Sequence, residues 1–277
     1  MQQLIDLITT NTLKIPMLPY AAYTSVQTQN LRNVPIVSPC FIAVLSGEKE
    51  LAIQDTFNCN AGEFVVLADN NNVHMRNLPT EADYFALFIE FEADDFVDLD
   101  ISPTTQMPKN KYIHGQLNQQ LKTCLQQFVE WAAIVPENLW SQRRKELLQV
   151  LIYLGYPQVI GCLSAQSTIS RCNAVLRQHP YSITSSAFVA EQLNISESSL
   201  RRKLAAEQSS FQQLKDQIRL GTALHLLQTT QHSITYVAEQ SGYQSPSKFA
   251  SRFKQRFGLT PTQLRKTKET NKAVKID

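Results

Sequence analysis

Apolar and polar residues recur with two different periods along this chain. In the first hundred residues they alternate over three short stretches, residues 41–54, 56–78 and 83–92. This alternation predicts short β-strands that each bury one face. The segments 46–49 and 61–63 each contain a glycine and are expected to form hairpin turns. Several short strands in succession predict an antiparallel barrel or sandwich.

Between residues 114 and 161 the pattern changes to the three- and four-residue steps that are typical of helices. Leu117, Leu121, Leu125 and Phe128 share one face of a first helix, which the segment around Pro136 ends. A second helix follows, and its broad apolar face consists of Leu147, Leu148, Leu151, Ile152 and Leu154. One part of this face is expected to cover the barrel. The remainder either forms a two-helix dimer contact or is also internal core, and the pattern supports both interpretations equally.

The most specific pattern lies near the C-terminus, in residues 234–265. Residues 235–241 predict a short helix, Gly242 supplies a turn that favours positive φ, and Pro246 suits the first position of a second helix. Ser245 is the expected N-cap of that second helix. Its buried face is a series of aromatic residues at helical spacing, Phe249, Phe253 and Phe257. The pattern predicts a helix-turn-helix whose second helix enters a DNA groove.

A related unit lies earlier in the chain. The tetrapeptide VAEQ at residues 189–192 recurs at residues 237–240, and Leu200 and Leu204 take the places of the phenylalanines in the later unit. Ser196 is the expected N-cap of the second helix in this earlier unit. The frame of the two units is predicted to consist of Ala190, Ile195, Leu200, Leu204, Ala238, Gly242, Phe249, Phe253 and Pro261.

The faces opposite these apolar positions are rich in hydrogen-bond donors. The side chains expected to contact base edges are Ser198, Ser199, Arg201, Arg202, Ser247, Lys248, Ser251 and Arg252. The side chains expected to contact phosphates are Lys203, Ser245, Lys254, Gln255 and Arg256. Hydroxyl, amide and basic groups of this kind donate to the oxygen and nitrogen acceptors of DNA.

Charge is distributed unevenly over the chain, although the formal net charge is only +2. Residues 1–166 carry 10 basic and 17 acidic side chains, a net charge of −7, whereas residues 167–277 carry 16 and 7, a net charge of +9. A basic half beside an acidic half indicates that only the second half meets a polyanion. Together with the two helix-turn-helix patterns, this excess indicates binding to double-stranded DNA.

The C-terminal pattern resembles the signature of the AraC/XylS transcription regulators. The positions that carry the resemblance are Ile234, Ala238, Gly242, Tyr243, Ser245, Ser247, Phe249, Phe253, Lys254, Phe257, Gly258, Thr260, Pro261 and Arg265. It covers about residues 168–268 and implies a seven-helix module in which a long helix, residues 211–228, joins two helix-turn-helix units. Gly221 inside that helix costs about 1 kcal/mol relative to Ala, and close packing is the expected reason for it.

Two positions depart from the pattern of that family. Ser251 stands where the family usually has Arg, and Pro246 stands where it has a base-reading residue resembling Gln. The second unit is therefore expected to act mainly through phosphates and DNA shape. Arg201 and Arg202 become the main candidates for guanine contacts, each contributing about 1–3 kcal/mol of discrimination.

The stretch from Gly62 to His74 resembles the cupin-like barrel that often precedes this kind of DNA-binding module. An effector pocket in it is expected to be lined by Phe41, Phe57, Phe64, His74, Tyr84, Phe85 and Phe88. A transition-metal site needs several converging ligands. His74 has no second histidine beside it, and His114 is expected to lie beyond the barrel, so neither a metal nor another cofactor is expected.

Two forms of control stay open. A small apolar or amphipathic molecule in the barrel would shift dimerisation or domain docking. Alternatively, a protein anti-activator or co-activator would bind the barrel, since residues 44–54 and 61–67 resemble type III secretion activators of this family. A cupin-type enzyme fused to a DNA-binding module is a remote third alternative, because the metal ligands of such enzymes are missing.

Composition agrees with a cytoplasmic protein. The five cysteines form no CxxC pair and are odd in number, so they are expected to be reduced thiols. The N-terminal residues lack the charged and apolar regions of a signal peptide, and no stretch approaches the roughly 20 apolar residues of a membrane span. The sequence contains no P-loop, GxSxG, HExxH or glycine-rich dinucleotide motif, so no enzymatic activity is expected.

These observations predict an α+β multidomain protein. Its parts are a cupin-like antiparallel β-barrel over residues 1–105, a helical packing or dimerisation segment over 106–161, a linker over 162–168, an all-α DNA-binding domain with two helix-turn-helix motifs over 169–268, and a mobile tail over 269–277. The predicted function is sequence-specific transcription regulation, as an activator. The expected partners are promoter DNA, RNA polymerase, an effector and a second copy of the chain, without a membrane.

Overall fold

The computed structural model describes residues 1–69, 71–99, 111–163, 167–179, 181 and 184–268. Its strands are β1 (Ala21–Ser25), β2 (Gln29–Ile36), β3 (Cys40–Ser46), β4 (Glu48–Ala52), β5 (Thr56–Asn60), β6 (Glu63–Leu67), β7 (Asn71–Leu78), β8 (Tyr84–Glu90) and β9 (Tyr112–Gln116). Its α-helices are α1 (Gln2–Lys14), α2 (Gln119–Ala132), α3 (Trp140–Tyr153), α4 (Thr168–Gln178), α5 (Ser186–Gln192), α6 (Glu197–Ala206), α7 (Phe211–Thr229), α8 (Ile234–Gln240), α9 (Pro246–Phe257) and α10 (Pro261–Lys266).

The strands form two antiparallel sheets that pack face to face. One has the strand order β1-β8-β3-β6-β9, and the other has the order β2-β7-β4-β5. Apolar side chains from both sheets fill the space between them, and Leu31, Val44, Leu51, Val65 and Val73 are almost fully buried there. The predicted antiparallel β-domain is therefore confirmed.

Helices α1, α2 and α3 cover the other face of the five-stranded sheet. Leu121, Leu125 and Leu148 of these helices belong to one apolar cluster with Phe41 and Phe64 of the sheet. The five-stranded sheet is thus buried on both faces. This explains why β3, with the sequence CFIAVLS, is apolar at consecutive positions instead of alternating.

The two predicted hairpin turns connect different sheets, so the prediction of hairpins was wrong. β3 and β6 lie in the five-stranded sheet, whereas β4 and β5 lie in the four-stranded sheet. Gly47 and Gly62 stand at the corners with φ of 73° and 93°. A Cβ on Gly47 would lie 2.7 Å from the carbonyl oxygen of Leu78. The turn residues were identified from local chemistry, but local chemistry does not specify which strands pair.

The barrel also extends beyond the predicted boundary at residue 105. β9 pairs with β6, and His114 lies opposite Val65 in this pairing. The expectation that His114 lies beyond the barrel was therefore wrong. A five-residue strand such as YIHGQ is too short to show a hydrophobic period.

Most of the apolar face of α3 is internal core. Leu147, Leu148 and Leu151 are fully buried against the sheet and α2. Ile152 and Leu154 are half-buried against the same cluster. Part of this face therefore covers the sheet, as expected, and a dimer contact through its half-buried end stays a prediction.

The C-terminal part is all-helical, and α7 belongs to two cores. Leu214 and Ile218 in its first half pack with α4, α5 and α6. Ala223 and Leu227 in its second half pack with α8, α9 and α10. The predicted central helix over residues 211–228 agrees with the 19-residue helix α7 to within one residue.

The helical part docks on strands β1, β2 and β8 of the barrel. Arg177 pairs with Glu90 at 2.7 Å, and the Tyr23 hydroxyl lies 3.0 Å from Nδ1 of His225. The backbone N–H groups of residues 26 and 27 donate to the carbonyl oxygen of Thr267 at 2.9 and 3.2 Å. These contacts join the two parts of the chain at several separate points.

None of the helices in the described ranges combines the length and hydropathy that crossing a lipid bilayer requires. The predicted tail, residues 269–277, and residues 164–166 of the predicted linker lie outside the described part of the chain.

Candidate nucleic-acid interface

The first helix-turn-helix unit consists of α5 and α6, and serines begin both helices. The Ser185 hydroxyl accepts a hydrogen bond from the N–H of Phe188 at 3.1 Å, and the Ser196 hydroxyl accepts from the N–H of Ser199 at 3.2 Å. Asn194 forms the turn with φ of 53°. Because the Ser196 side chain caps the start of α6, the first turn of this helix is held in a fixed direction.

The predicted DNA-contacting residues of α6 lie on its outer face. Arg201, Arg202 and Lys203 are exposed, whereas Leu200 and Leu204 are almost completely buried in the first core. Ser198 is exposed and shares a hydrogen bond with the Ser196 hydroxyl, while the half-buried Ser199 hydroxyl accepts a hydrogen bond from Ser196, each at 3.0 Å. The basic side chains are therefore available to a ligand, and the serine hydroxyls support the cap.

The turn of the second unit, between α8 and α9, is held from outside by Arg219 of α7. The Arg219 guanidinium donates to the carbonyl oxygens of Ser241, at 2.9 Å, and of Gly242. Its charged centre also lies 4.2 Å from the ring centroid of Tyr243. Gly242 has φ of 77°, and a Cβ there would lie 3.0 Å from the Cβ of Tyr181. This turn requires glycine for both its conformation and its close packing.

Helix α9 begins at the predicted cap and ends at a left-handed glycine. The Ser245 hydroxyl accepts from the N–H of Lys248 at 3.3 Å, and Gly258 ends the helix with φ of 85°. The predicted aromatic face is fully buried, with Phe249, Phe253 and Phe257 each 0% exposed. The opposite face exposes the predicted polar residues Ser247, Lys248, Ser251, Arg252, Lys254 and Gln255.

The predicted frame positions form the two cores. Ala190, Leu200, Leu204, Ala238, Phe249, Phe253 and Pro261 are buried. Ile195 and Gly242 are half-buried at the turns. The repeat seen in the sequence is therefore a repeat of structure.

One predicted phosphate contact is engaged elsewhere in this conformation. The Arg256 guanidinium donates to the side-chain oxygen of Asn72 on β7 at 2.5 Å. Its neighbour Gly258 lies against Arg32 of β2. The C-terminal end of α9 is thus docked on the barrel, while the N-terminal end is exposed.

A cavity of about 300 Å³ lies between the barrel and α7, which sequence reasoning did not anticipate. Its apolar wall includes Leu31, Val34, Ile36, Met75, Phe88 and Leu224. Gly221 also lines it, and a Cβ there would meet only Cγ of Pro35 at an ordinary 3.5 Å. Close packing therefore does not account for Gly221. Because the cavity wall combines elements far apart in sequence, no local motif marks it.

Lys49 also lines this cavity and is only 1% exposed. Its ammonium group donates to the side-chain oxygen of Asn77 at 2.6 Å and lies 3.5 Å from the hydroxyl of Tyr84. Burial lowers the pKa of Lys49 to about 8. The ion pairs found in the described part of the chain provide no carboxylate for Lys49, so its charge is compensated by neutral dipoles.

Six of the seven predicted effector-pocket residues lie outside the lining of this cavity. Phe41, Phe64 and Phe85 belong to the layer under the helices, and Tyr84 is buried between the sheets. His74 is exposed on β7, and Phe57 stacks on Tyr112 at 4.2 Å. Phe88 lines the cavity. Among the predicted pocket residues, Phe88 alone therefore contributes to the cavity, which is lined instead by other barrel residues such as Leu31, Lys49 and Met75 together with α7.

The five cysteines are free thiols and all are buried. Burial raises the pKa of the Tyr20 hydroxyl to about 12. It is also the main cause that raises the pKa of the Cys59 thiol to about 12 and of the Cys124 and Cys172 thiols to about 11. Thiols with a raised pKa are protonated and weakly nucleophilic at neutral pH. This agrees with the expected reduced state and gives no support to cysteine-based catalysis.

Comparison with known proteins matches the C-terminal part of the chain. Residues 189–267 match the family described as a helix-turn-helix domain. The transcriptional regulator SirC of Salmonella typhimurium strain SL1344 is 42% identical over 83 residues, which are 30% of this chain and 28% of SirC. The transcriptional activator AggR of Escherichia coli is 34% identical over 78 residues, 28% of this chain and 29% of AggR. The matches span less than a third of each of these relatives.

The whole fold is similar to crystal structures of ToxT from Vibrio cholerae strain SCE256. An apo variant of ToxT matches with a TM-score of 0.66 and 15% identity, over 90% of this chain and 97% of that chain. The unsaturated fatty acid bound wild-type ToxT matches with a TM-score of 0.64 and 13% identity, over 92% and 97%. At this identity the likeness shows a shared two-domain fold.

Proposed function

Since the C-terminal part of the chain is a helix-turn-helix domain of the AraC type, we propose that the protein is a sequence-specific DNA-binding regulator that activates transcription. The observation that carries this proposal is the pair of serine-capped helices, α6 and α9, each with one buried apolar face and one exposed basic face. α7 contributes to both cores and so holds the two units at a fixed separation. AggR and SirC, which match this domain, are transcription regulators by name.

The proposed division of labour follows the chemistry of the exposed side chains. Arg201 and Arg202 would read guanines in a major groove, because a guanidinium matches the two acceptors of guanine. Lys203 and Lys254 would neutralise phosphates. Lys248, at the start of α9, would reach either base edges or phosphates. The regulator would act in the cytoplasm and contact RNA polymerase when bound to a promoter.

The test is selection of binding sites by the full-length protein from a pool of random DNA duplexes at near-physiological salt. The expected result is an asymmetric site with two conserved segments about one helical turn apart, roughly 10 base pairs. Arg201→Ala combined with Arg202→Ala should abolish enrichment of one segment, and Lys122→Ala on α2 is the matched control. Absence of any enriched sequence with the wild-type protein would overturn the proposal.

The second part of the proposal concerns the effector. We propose an amphipathic carboxylic acid whose apolar chain lies in the cavity between the barrel and α7 and whose carboxylate pairs with Lys49. Three features support this choice: the apolar wall, the buried ammonium group without a carboxylate partner in the described ion pairs, and the fatty acid in the ToxT crystal structure. A ligand there would contact β2 and α7 at once and would therefore influence how the two parts dock.

Binding is tested with an unsaturated fatty acid of about 16 to 18 carbons, by calorimetry and by thermal unfolding. Wild-type protein should bind and melt at a higher temperature, since a ligand that binds only the folded state stabilises it. Lys49→Met should lose the binding while keeping the fold. If wild-type protein binds no such acid, the ligand proposal fails, and a protein anti-activator or co-activator becomes the alternative to test by co-purification.

A homodimer is also proposed, but not through the buried face of α3. Ile134 after α2 and Tyr153 at the end of α3 are 78% and 79% exposed. Neither side chain belongs to the apolar cluster that α3 shares with the sheet. Sedimentation of the wild-type protein beside Ile134→Ser with Tyr153→Ser tests the proposal, and a monomeric wild-type protein would contradict it.

A further inference from the structure

Three side chains with metal-binding chemistry meet where the edges of the two sheets approach each other. They are Cys59 on β5, Glu63 on β6 and His114 on β9, and their ligand atoms all lie within 4.8 Å of one another. β5 is an edge strand of the four-stranded sheet, and β9 is an edge strand of the five-stranded sheet. The cluster therefore spans the seam, the place where the edges of the two sheets meet. Glu63 and His114 are 51 residues apart in sequence.

The carboxylate of Glu63 is oriented by neighbouring groups. One of its oxygens accepts from the backbone N–H of Asn60 at 2.7 Å and lies 3.1 Å from Nε2 of His114. The other oxygen accepts from the side-chain amide of Gln116 at 2.7 Å. Outer hydrogen bonds of this kind fix the direction of a metal-binding carboxylate and are typical of assembled sites.

The surroundings of His114 and Cys59 differ in exposure. The His114 side chain is 31% exposed, so an ion can reach the cluster from solvent. Its ring lies 5.4 Å from that of Phe57, which itself stacks on Tyr112 at 4.2 Å. Cys59 is fully buried. Solvent therefore reaches the cluster at His114, whereas Cys59 is enclosed within the protein.

We propose that Cys59, Glu63 and His114 bind a divalent transition-metal ion of the zinc class. Thiolate, imidazole and carboxylate together are ligands that Zn²⁺ accepts in tetrahedral geometry, and water would complete the set. In a tetrahedral zinc site the ligand atoms are separated by roughly 3.3–3.6 Å. Nε2 of His114 and an oxygen of Glu63 lie 3.1 Å apart, slightly closer than in such a site, so the hydrogen bond between them gives way when both atoms bind the ion.

The charge balance of the proposed site is neutral. A thiolate and a carboxylate each bring one negative charge and the imidazole brings none, which matches a divalent cation. The thiol of Cys59 gives up its proton to solvent when the ion binds.

The expected role of the ion is structural. It would connect β5 of one sheet with β6 and β9 of the other, at a seam where no backbone ladder joins these sheets in the described pairings. Such a cross-link stabilises the folded state by binding it in preference to the unfolded chain.

The test uses the full-length chain after treatment with a chelator, titrated with Co²⁺ as a spectroscopic probe and then with Zn²⁺. One equivalent of Co²⁺ should give intense visible bands of a tetrahedral site and a near-ultraviolet band from thiolate to cobalt, and Zn²⁺ should displace both. Cys59→Ser should lose the thiolate band, and His114→Gln should weaken binding by at least about tenfold. Cys124→Ser and His74→Gln, the matched controls, should bind like the wild type.

Thermal unfolding supplies a second measurement. Zn²⁺ should raise the melting temperature of the wild type and of both controls, but not that of His114→Gln, whose exposed position tolerates the change. A thiolate band that persists in Cys59→Ser would overturn the proposal, and so would wild-type protein that binds no equivalent of Co²⁺.

Discussion

At the scale of single residues, Lys49 is the most unusual group of the molecule. It is a primary amine enclosed between two sheets, held by the side-chain oxygen of Asn77 and close to the hydroxyl of Tyr84. A buried charge of this kind is costly unless it is compensated by dipoles or by an opposite charge. Because Lys49 lines an apolar cavity, the carboxylate of a ligand bound there would supply the negative charge that its ammonium group lacks.

The first prediction concerns the pH dependence that Lys49 imposes on stability. Burial lowers the pKa of Lys49 to about 8 in the folded protein, whereas the unfolded chain keeps the ordinary value of about 10.5. Between these values the unfolded state binds more protons, so the contribution of Lys49 to the free energy of unfolding rises with pH. The free energy of unfolding of the wild type, minus that of Lys49→Met, should therefore rise by about 2 kcal/mol from pH 8 to pH 10.

Denaturant unfolding of both proteins at several pH values measures this difference. Groups common to both proteins cancel in the comparison, including Tyr20, whose raised pKa also affects stability at high pH. A difference that stays constant over this pH range would contradict the account of Lys49 as a buried ammonium group.

The second prediction concerns Gly221 in the middle of α7. A Cβ at this position meets only Pro35 at an ordinary contact distance. Gly221→Ala should therefore raise the free energy of unfolding by up to about 1 kcal/mol, since alanine favours the helix and restricts the unfolded chain. The same methyl group enters the cavity and should weaken fatty acid binding. Thermal unfolding and calorimetry check both effects, and a lower melting temperature would show that hidden close packing exists.

At the scale of secondary-structure elements, the helices of the C-terminal part were predicted closely from the sequence. Helix α9 shows why: Ser245, Pro246 and Gly258 mark its ends, and its phenylalanines mark its buried face. Each of these signals is local, so it can be recognised without knowing the rest of the fold. The same holds for α6, whereas α7 was predicted from the resemblance to the AraC/XylS regulators.

The barrel was predicted less completely, for an equally physical reason. The strands from β3 to β8 were recognised from their alternating pattern, but β1, β2 and β9 were missed and the corners at Gly47 and Gly62 were taken for hairpins. Strand pairing is decided by contacts between distant residues, which a local pattern does not contain. The cavity and the Cys59–Glu63–His114 cluster were missed for the same reason, since each combines several separate elements.

The third prediction concerns Arg219, which links α7 to the turn of the second unit. Arg219→Met keeps the aliphatic stem but removes the charged hydrogen bonds to the carbonyl oxygens of Ser241 and Gly242. Loss of such bonds should lower the free energy of unfolding by about 2 kcal/mol and should also weaken DNA binding. Lys248→Met, on the exposed face of α9, should weaken DNA binding and leave stability unchanged. Equal stability of Arg219→Met and wild type would contradict this role of Arg219.

At the scale of the whole molecule, the docking of the helical part on the barrel has a consequence for DNA binding. The guanidinium of Arg256, a proposed phosphate contact, donates to Asn72 of the barrel. In the same interface Arg177 of α4 pairs with Glu90 of β8. The barrel therefore holds basic groups of the helical part that would otherwise be available to a polyanion.

The fourth prediction follows from this arrangement. Asn72→Ala should release Arg256 and increase affinity for DNA, most clearly at low salt, because an additional phosphate contact steepens the dependence on salt. His74→Gln, two residues further along β7 and exposed, is the matched control and should leave affinity unchanged. Fluorescence anisotropy with labelled duplex at several salt concentrations measures both, and an unchanged salt slope for Asn72→Ala would disprove the competition between docking and DNA.

Helices α6 and α9 of one chain should contact DNA side by side, and a hydroxyl-radical footprint of the full-length protein on a selected site measures this arrangement. Two protected segments are expected on one face of the duplex, centred about one helical turn apart, roughly 34 Å. Arg201→Ala with Arg202→Ala should remove one segment and leave the other. A single protected segment in the wild type, or loss of both segments together in the variant, would contradict this arrangement.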